Sequence, residues 1–207
     1  MSQSLLILGA GGHGRVVADT AAMAGWGKIA FLDDNAAVSS ATCWPVIGPI
    51  ESLVVNACTF DAAIVAIADC ACREALMQQL DQAGVALATV IAPSAVVSSR
   101  ASIAPGCMIL AGAVVQIGAK IGAGCIVNTS STVDHDCELG SCVHVAPGAH
   151  VAGTVTVGAR SWIGLGATVN ENLTLGEACT VGASAAVVTD VAPGATVMGV
   201  PARAVVE

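Results

Sequence analysis

The chain has no tyrosine, two phenylalanines and three tryptophans, so aromatic side chains make up 2% of it. Rings that would stack on bases, or organise a conventional core, are missing. Basic residues are scarce as well: seven Lys and Arg face fifteen Asp and Glu, for a net charge of −8. That balance excludes nucleic acid and an anionic membrane surface as main partners. Mean hydropathy is high at +0.80. Yet no uninterrupted apolar run approaches the roughly 18 residues that a spanning helix needs. The opening stretch MSQSLLILGAGG lacks the basic segment of a signal peptide. No membrane span is expected, and a cytoplasmic location is. At 207 residues the chain is long enough to bury a substantial core, as one large domain or two small ones.

Cysteine, by contrast, is plentiful, with nine copies. Cys107, Cys125, Cys137 and Cys179 recur at one position of a repeat, where Ala, Ser, Val or Leu stands elsewhere. They read as small core residues. Cys70-Ala-Cys72 has no second Cys or His pair to complete a zinc site, so no metal is expected.

What organises the interior is a six-residue period. An aliphatic residue recurs at every sixth position from Ile91 to Val187, seventeen times without a break. Four positions after each comes a mostly small residue, as at Ala95, Ala101, Cys107, Ala113, Ala119 and Cys125. A period of six fits neither a helix nor a hairpin sheet. It predicts a parallel β-helix in which each hexad makes one short strand and one corner. Three hexads close a coil, so positions three hexads apart stack. Glycine beside the aliphatic position (Gly122, Gly140, Gly158, Gly164, Gly176, Gly182) is expected to supply unusual dihedrals at corners. The period stops at Pro193. Both ends of such a stack expose strand edges. Residues 1–90 are expected to cover the first end, and the tail VMGVPARAVVE the second.

The first ninety residues alternate strand and helix. Strands are predicted over Leu5–Leu8, Ile29–Leu32 and Ala63–Ile67, with a short one over Leu87–Val90. Helices are predicted over Arg15–Ala24 and Arg73–Gln82, stopped by Gly25 and Gly84. This is a small parallel α/β unit, about half of a dinucleotide fold. In the segment LGAGGHGR, Gly9, Gly11 and Gly14 match G-x-G-x-x-G, and Asp33 follows directly after the second predicted strand. Taken alone, the pattern is an NAD site with Asp33 on a ribose hydroxyl. Half a fold and a β-helix offer no obvious hydride acceptor, however. What survives is the chemistry: backbone N–H groups at a helix N-terminus for a phosphate, and a carboxylate for a sugar hydroxyl. An NAD-binding protein and a non-catalytic β-helix scaffold stay open as readings.

His135 stands between Asp134 and Asp136. An imidazole beside a carboxylate suits the deprotonation of an attacking amine. A metal reading of the triplet is weaker, because neighbours along a strand point to opposite faces. His135 and His144 are one and a half hexads apart, half of a coil, so they lie on different parts of the prism. If both serve one site, a neighbouring subunit brings them together. Pro147, Leu165 and Ala183, each three hexads from the next, form a column that either lines a groove or is plain outer wall. Trp162 points outward, to an interface or a groove, and His150 reads as a surface residue.

The hexads, the GVPAR ending and the segment NTSSTVDHDCELGSCVHVAPGA (Asn128–Ala149) together resemble a known family. It is that of the bacterial nucleotide-sugar N-acetyltransferases with a left-handed β-helix, in the bacillosamine and perosamine branch. The resemblance spans essentially the whole chain; sialic-acid O-acetyltransferase-like proteins are near relatives. It implies a Rossmann-like α/β half-domain at 1–90 that binds a nucleotide sugar. It also implies a left-handed parallel β-helix with a C-terminal tail at 91–207. The implied reaction moves an acetyl group from acetyl-CoA to the amine of a UDP- or GDP-4-amino-sugar, for surface polysaccharide or glycan synthesis. The implied assembly is a homotrimer with active sites between subunits. O-acetylation of a sugar such as sialic acid is the alternative. By the same resemblance His135 is the general base, Asp136 raises its basicity, and His144 contacts the acetyl group. Gly11, Gly12, His13, Asp33 and Asp34 hold the nucleotide sugar, and Asn128 approaches the acceptor. Leu165 and Ala183 contact acetyl-CoA, with Arg160 and Arg203 as candidates for its phosphates. One departure stands out: relatives often carry Gly-Asn after the third strand, where this chain has Ala68-Asp69-Cys70.

Overall fold

The computed structural model describes residues 3–205. Its first unit is a parallel sheet of β1 (Ser4–Leu8), β2 (Lys28–Leu32), β3 (Val46–Gly48) and β4 (Ala62–Val65), in the order β3-β2-β1-β4. Helix α1 (Gly12–Met23) connects β1 to β2; α2 (Leu53–Ala57) precedes β4 and α3 (Cys70–Gln82) follows it. The unbroken apolar run of β1 reflects burial on both faces. Leu5 and Ile7 enter one core cluster, while Leu6 and Leu8 enter another on the opposite side.

Several boundaries differ from expectation. Helix α1 starts inside the glycine segment, with Gly11 at its N-cap. First-turn N–H groups need no helical partner, and glycine lets the turn press against the loop: a Cβ on Gly14 would collide with the Gly9 carbonyl oxygen. Asp69 caps α3 by accepting from the Cys72 N–H at 2.7 Å, which starts that helix at Cys70. Strand β3 and helix α2 were not expected. β3 is a three-residue edge strand right after Pro45, too short to show a period. Leu87 makes only a single bridge, to Ala63.

From Val90–Ile91 (β5) to Ala186–Val187 (β21) the chain forms two-residue parallel strands, each paired with the strand three hexads away. Met108, Ile126, His144, Trp162 and Thr180 therefore stack on one outer face. The aliphatic residue of every hexad points inward, and from Ile109 to Val187 none is more than 4% exposed. Each such burial contributes roughly 1.5–3 kcal/mol before conformational entropy is subtracted. The four repeat cysteines lie in the same core. With three sheets around this core, the unit is a left-handed β-helix.

The repeat glycines do a different job from the one expected. From Gly106 to Ser184, the left-handed corner residue is the one three positions after the aliphatic, with φ between +54° and +81°. Eight of these fourteen corners are not glycine; Asp136 and Thr154 are examples. Left-handed backbone costs about 1–2 kcal/mol at such a residue. Corner-to-corner bonds offset it, such as Asp136 N–H to the Ile117 carbonyl at 3.1 Å. The glycines beside the aliphatics are needed for spacing. A Cβ on Gly140 would lie 2.6 Å from the Ala159 nitrogen of the next coil.

The α/β unit does not cover the first end of the stack. Ile91 is 37% exposed there, and Val97 and Ile103 are only partly buried. Instead the unit docks on the outer face of the first coils, where Met108, Leu110 and Ile126 share a core with Leu5, Ile7 and Phe31. The side-on seat takes Met108, Leu110 and Ile126, which point out of the prism, fully out of water. At the other end β22 (Thr196–Met198) pairs with Thr180–Val181, and β23 (Arg203–Ala204) folds back antiparallel on it. The tail thus covers an edge as expected.

Candidate active site

The glycine segment opens on a cleft of about 430 Å³ at the carboxyl ends of β1 and β2. Gly9, Gly11, Gly12, His13, Asp33, Asp34, Asn35, Ile50 and the wall Ala66–Ala68 line it. This is where an open parallel sheet binds ligands, and the first-turn N–H groups of α1 suit a phosphate. Asp33 is occupied in shaping the loop. Its Oδ2 accepts the Ala10 N–H at 2.6 Å and its Oδ1 the Asn35 N–H at 2.8 Å. Asp34 holds the opposite rim by accepting the Ile50 N–H at 2.8 Å.

The cleft adjoins the seam between the two units through His13. Its ring lies 6.2 Å, centroid to centroid, from that of His144 on the β-helix. Trp162, half-buried one coil further, covers His144 from the other side at 4.2 Å. Both imidazoles are neutral. Burial, and secondarily the charge of Arg73, lowers His13 to about 4. Burial, then Arg73 and His13, lowers His144 to about 3. The His144 tautomer follows from Asn128. The Thr129 N–H donates to Asn128 Oδ1 at 2.8 Å, so the amide nitrogen faces His144 Nε2 at 3.0 Å and donates to it. The imidazole proton is therefore on Nδ1. That N–H is buried and unpaired: the Ala68 carbonyl acts on the ring but lies outside hydrogen-bonding geometry. His13 Nε2 is also buried and unpaired. Two unspent polar atoms at one seam are costly unless a ligand meets them.

His135 and Asp136 stand at a different corner, after Thr132–Val133 and before Glu138–Leu139. His135 Nδ1 is 2.9 Å from Asp136 Oδ2, and both side chains are more than half exposed. The carboxylate fixes the ring and its tautomer, leaving Nε2 free to accept a proton. Two glycines make the slot for this pair. A Cβ on Gly153, one coil on from His135, would lie 2.5 Å from its Nε2. One on Gly118, one coil before Asp136, would collide with the carboxylate.

Comparison with known proteins gives the family. Residues 4–80 match the family model described as the PglD N-terminal domain. The acetyltransferase domain of PglB from Neisseria gonorrhoeae, solved with acetyl coenzyme A, is 38% identical. The match covers 99% of this chain and 100% of that one, with a TM-score of 0.92. A His-to-Asn variant of perosamine N-acetyltransferase from Caulobacter crescentus, solved with CoA and GDP-perosamine, is 32% identical. There the coverage is 99% and 97% and the TM-score 0.91. The chain belongs to the nucleotide-sugar N-acetyltransferase family. WeeI from Acinetobacter baumannii is a further relative, 29% identical over 98% of this chain and 99% of that one, with a TM-score of 0.88. No curated protein matches the chain.

In this acetyltransferase the structure gathers Gly11, Gly12, His13, Asp33 and Asp34 in one cleft and sets Asn128 and His144 beside it. His135 and Asp136 are not brought to them within one chain. Leu165 and Ala183 continue a third corner upward from Pro147. The Gly166 N–H donates to the Pro147 carbonyl at 3.0 Å, and the Ser184 N–H to that of Leu165 at 2.8 Å. Leu165 is 58% exposed there. Arg160 is not free for a phosphate: it is paired with Glu74 at 2.7 Å and with Glu177. Arg203 is exposed. His150 is exposed and meets Thr132 Oγ1 at 3.0 Å. Gly118, Gly153 and Arg73 were missed as site-shaping residues. The two glycines carry a readable signal, each standing three hexads from a member of the pair, Gly118 from Asp136 and Gly153 from His135. Arg73 carries none.

Proposed function

We propose that the enzyme transfers the acetyl group of acetyl-CoA to the amine of a UDP- or GDP-linked amino sugar. Its place is in the cytoplasmic synthesis of a surface polysaccharide or glycan. The observation that carries this reading is the seam, where a phosphate-suited cleft runs into two neutral imidazoles with unpaired nitrogens. The nucleotide diphosphate takes the N–H groups of Gly11, Gly12 and His13, with Asp33 and Asp34 holding the rims. The sugar then extends toward His13 and Asn128. Acetyl-CoA lies along the corner of Pro147, Leu165 and Ala183, with its thioester carbonyl at His144.

His144 donates its Nδ1–H to the thioester oxygen, which gathers charge as the amine nitrogen attacks the carbonyl carbon. His135 Nε2 takes the proton that the amine releases, and Asp136 stabilises the imidazolium. The C–S bond breaks, and the CoA thiolate takes up a proton to leave as the thiol. His135 and His144 occupy different faces of the prism, so His135 of the partner subunit completes each site, in a homotrimer. A purified protein that stayed monomeric and fully active would overturn that assembly.

The test is a mass-shift screen of UDP- and GDP-amino sugars with acetyl-CoA. Gain of one acetyl group on the amine, with equal release of thiol, is expected. Transfer confined to hydroxyl acceptors would refute the reading and make the enzyme an O-acetyltransferase.

A further inference from the structure

Arg73 lies in neither half of the proposed site, yet it is 0% exposed. Among the described residues no carboxylate pairs with it. Its guanidinium is spent on backbone carbonyls from both units. Nη1 donates to Ile67 at 2.7 Å and Ala68 at 2.9 Å, on the wall of the nucleotide cleft. Nε donates to Gly124 and Nη2 to Cys142, each at 2.7 Å, at corners of two successive coils. A planar fork with five N–H donors can span such a set; an ammonium cannot. The neighbouring residue extends the seat one coil further, as Glu74 pairs with Arg160 at 2.7 Å.

We propose that Arg73 is a positioning residue. It locks the Ile67–Ala68 wall against the β-helix and so sets the gap in which His13 faces His144 and Asn128. This rests on the reading that the acceptor amine meets the donor at that seam. Arg73 acts through the cleft and through His13, and makes no contact with substrate. His144 is held in place by Asn128 and Trp162, and the Leu165–Ala183 corner by its own coils, all on the β-helix, so the acetyl-CoA side does not need this lock to keep its position. Among the described residues the guanidinium is also the one full positive charge that acts on the two imidazoles. The other titratable groups around it are Cys70, Cys142 and Glu74, with the buried thiols of Cys107 and Cys125 also within reach of its charge.

The experiment compares Arg73→Lys and Arg73→Met with the full-length enzyme, reading kcat and both KM values. It also follows the four histidines by NMR titration, assigned by single substitutions. Arg73→Lys keeps the charge but not the span. Its KM for the nucleotide sugar rises about tenfold, its KM for acetyl-CoA stays put, and both seam imidazoles remain neutral as before. Arg73→Met gives the same split, and His13 and His144 begin to protonate at higher pH because the repelling charge is gone. If Arg73→Met does not fold, the KM split in Arg73→Lys still decides. A folded variant with unchanged KM for the nucleotide sugar overturns the proposal, as does an equal rise in both KM values. Wild-type enzyme that acetylates no nucleotide sugar would sink the functional reading instead. The histidine titration would still report where Arg73 acts.

Discussion

Replacing Gly153 by alanine adds one methyl group, and the structure says where it goes. The new Cβ would stand 2.5 Å from His135 Nε2, 2.6 Å from Cε1 and 3.0 Å from Cδ2. Ordinary contact begins near 3.4 Å, so the ring must move by about 1 Å, a misplacement that costs up to about a hundredfold in rate. The backbone has no reason to follow, since Gly153 is outside the left-handed region. The ring is also more than half exposed, so it can yield into solvent at the expense of its contact with Asp136. Gly153 itself is buried, but the side chain that must give way is the exposed one, so stability should change by less than about 1 kcal/mol. Thiol release from acetyl-CoA with a nucleotide amino sugar gives kcat, and thermal melting gives stability. We expect kcat to fall by about one to two orders of magnitude with the melting temperature nearly unchanged. A Gly153→Ala enzyme with wild-type kcat would refute the placement of His135 as the base.

Asn128→Asp puts an acceptor where a donor faces His144 Nε2 at 3.0 Å, so the imidazole proton moves to Nε2. The thioester oxygen loses its donor, and kcat should drop about a hundredfold, as for an oxyanion donor, with KM for the nucleotide sugar changing far less. Acid should destabilise the fold early. His13 and His144 are held near 4 and 3 when folded, against an ordinary 6.5. The unfolded chain therefore binds more protons below pH 6.5, and stability falls as pH drops. By pH 5 the loss is about 2 kcal/mol for each histidine, measurable by denaturant titration and absent in a His13→Phe, His144→Phe double variant. Gly140→Ala, whose Cβ would lie 2.6 Å from the next coil's backbone, should cost about 3 kcal/mol. At Gly166, φ is +63° and the nearest atom to a Cβ is 3.6 Å away, so alanine should cost only about 1 kcal/mol. Equal losses at the two sites would contradict the spacing role of the repeat glycines.

The six-residue period was enough to predict coil length, the stacking of every third hexad and the inward face. In a narrow prism the core is made of residues close in sequence, and each corner repeats the last. The match of G-x-G-x-x-G to a strand-helix turn was equally legible, because its glycines answer to local sterics at Gly9 and Gly14. The family pattern around His135 and His144 pointed to acetyl transfer. None of these signals could say that the α/β unit sits on the flank of the coils rather than over their end. That seat depends on Met108, Leu110 and Ile126, outward positions that look like ordinary surface until Leu5, Ile7 and Phe31 cover them. Only that docking buries His13 and His144, makes both imidazoles neutral, and leaves each with an unpaired nitrogen at the seam. Arg73 was invisible for the same reason. Its partners are main-chain carbonyls, which carry no side-chain signature, brought within reach from residues 51 and 69 positions away. Local chemistry and periodicity were written in the chain; desolvation and the meeting of distant backbone were decided by the tertiary packing of one unit on the other.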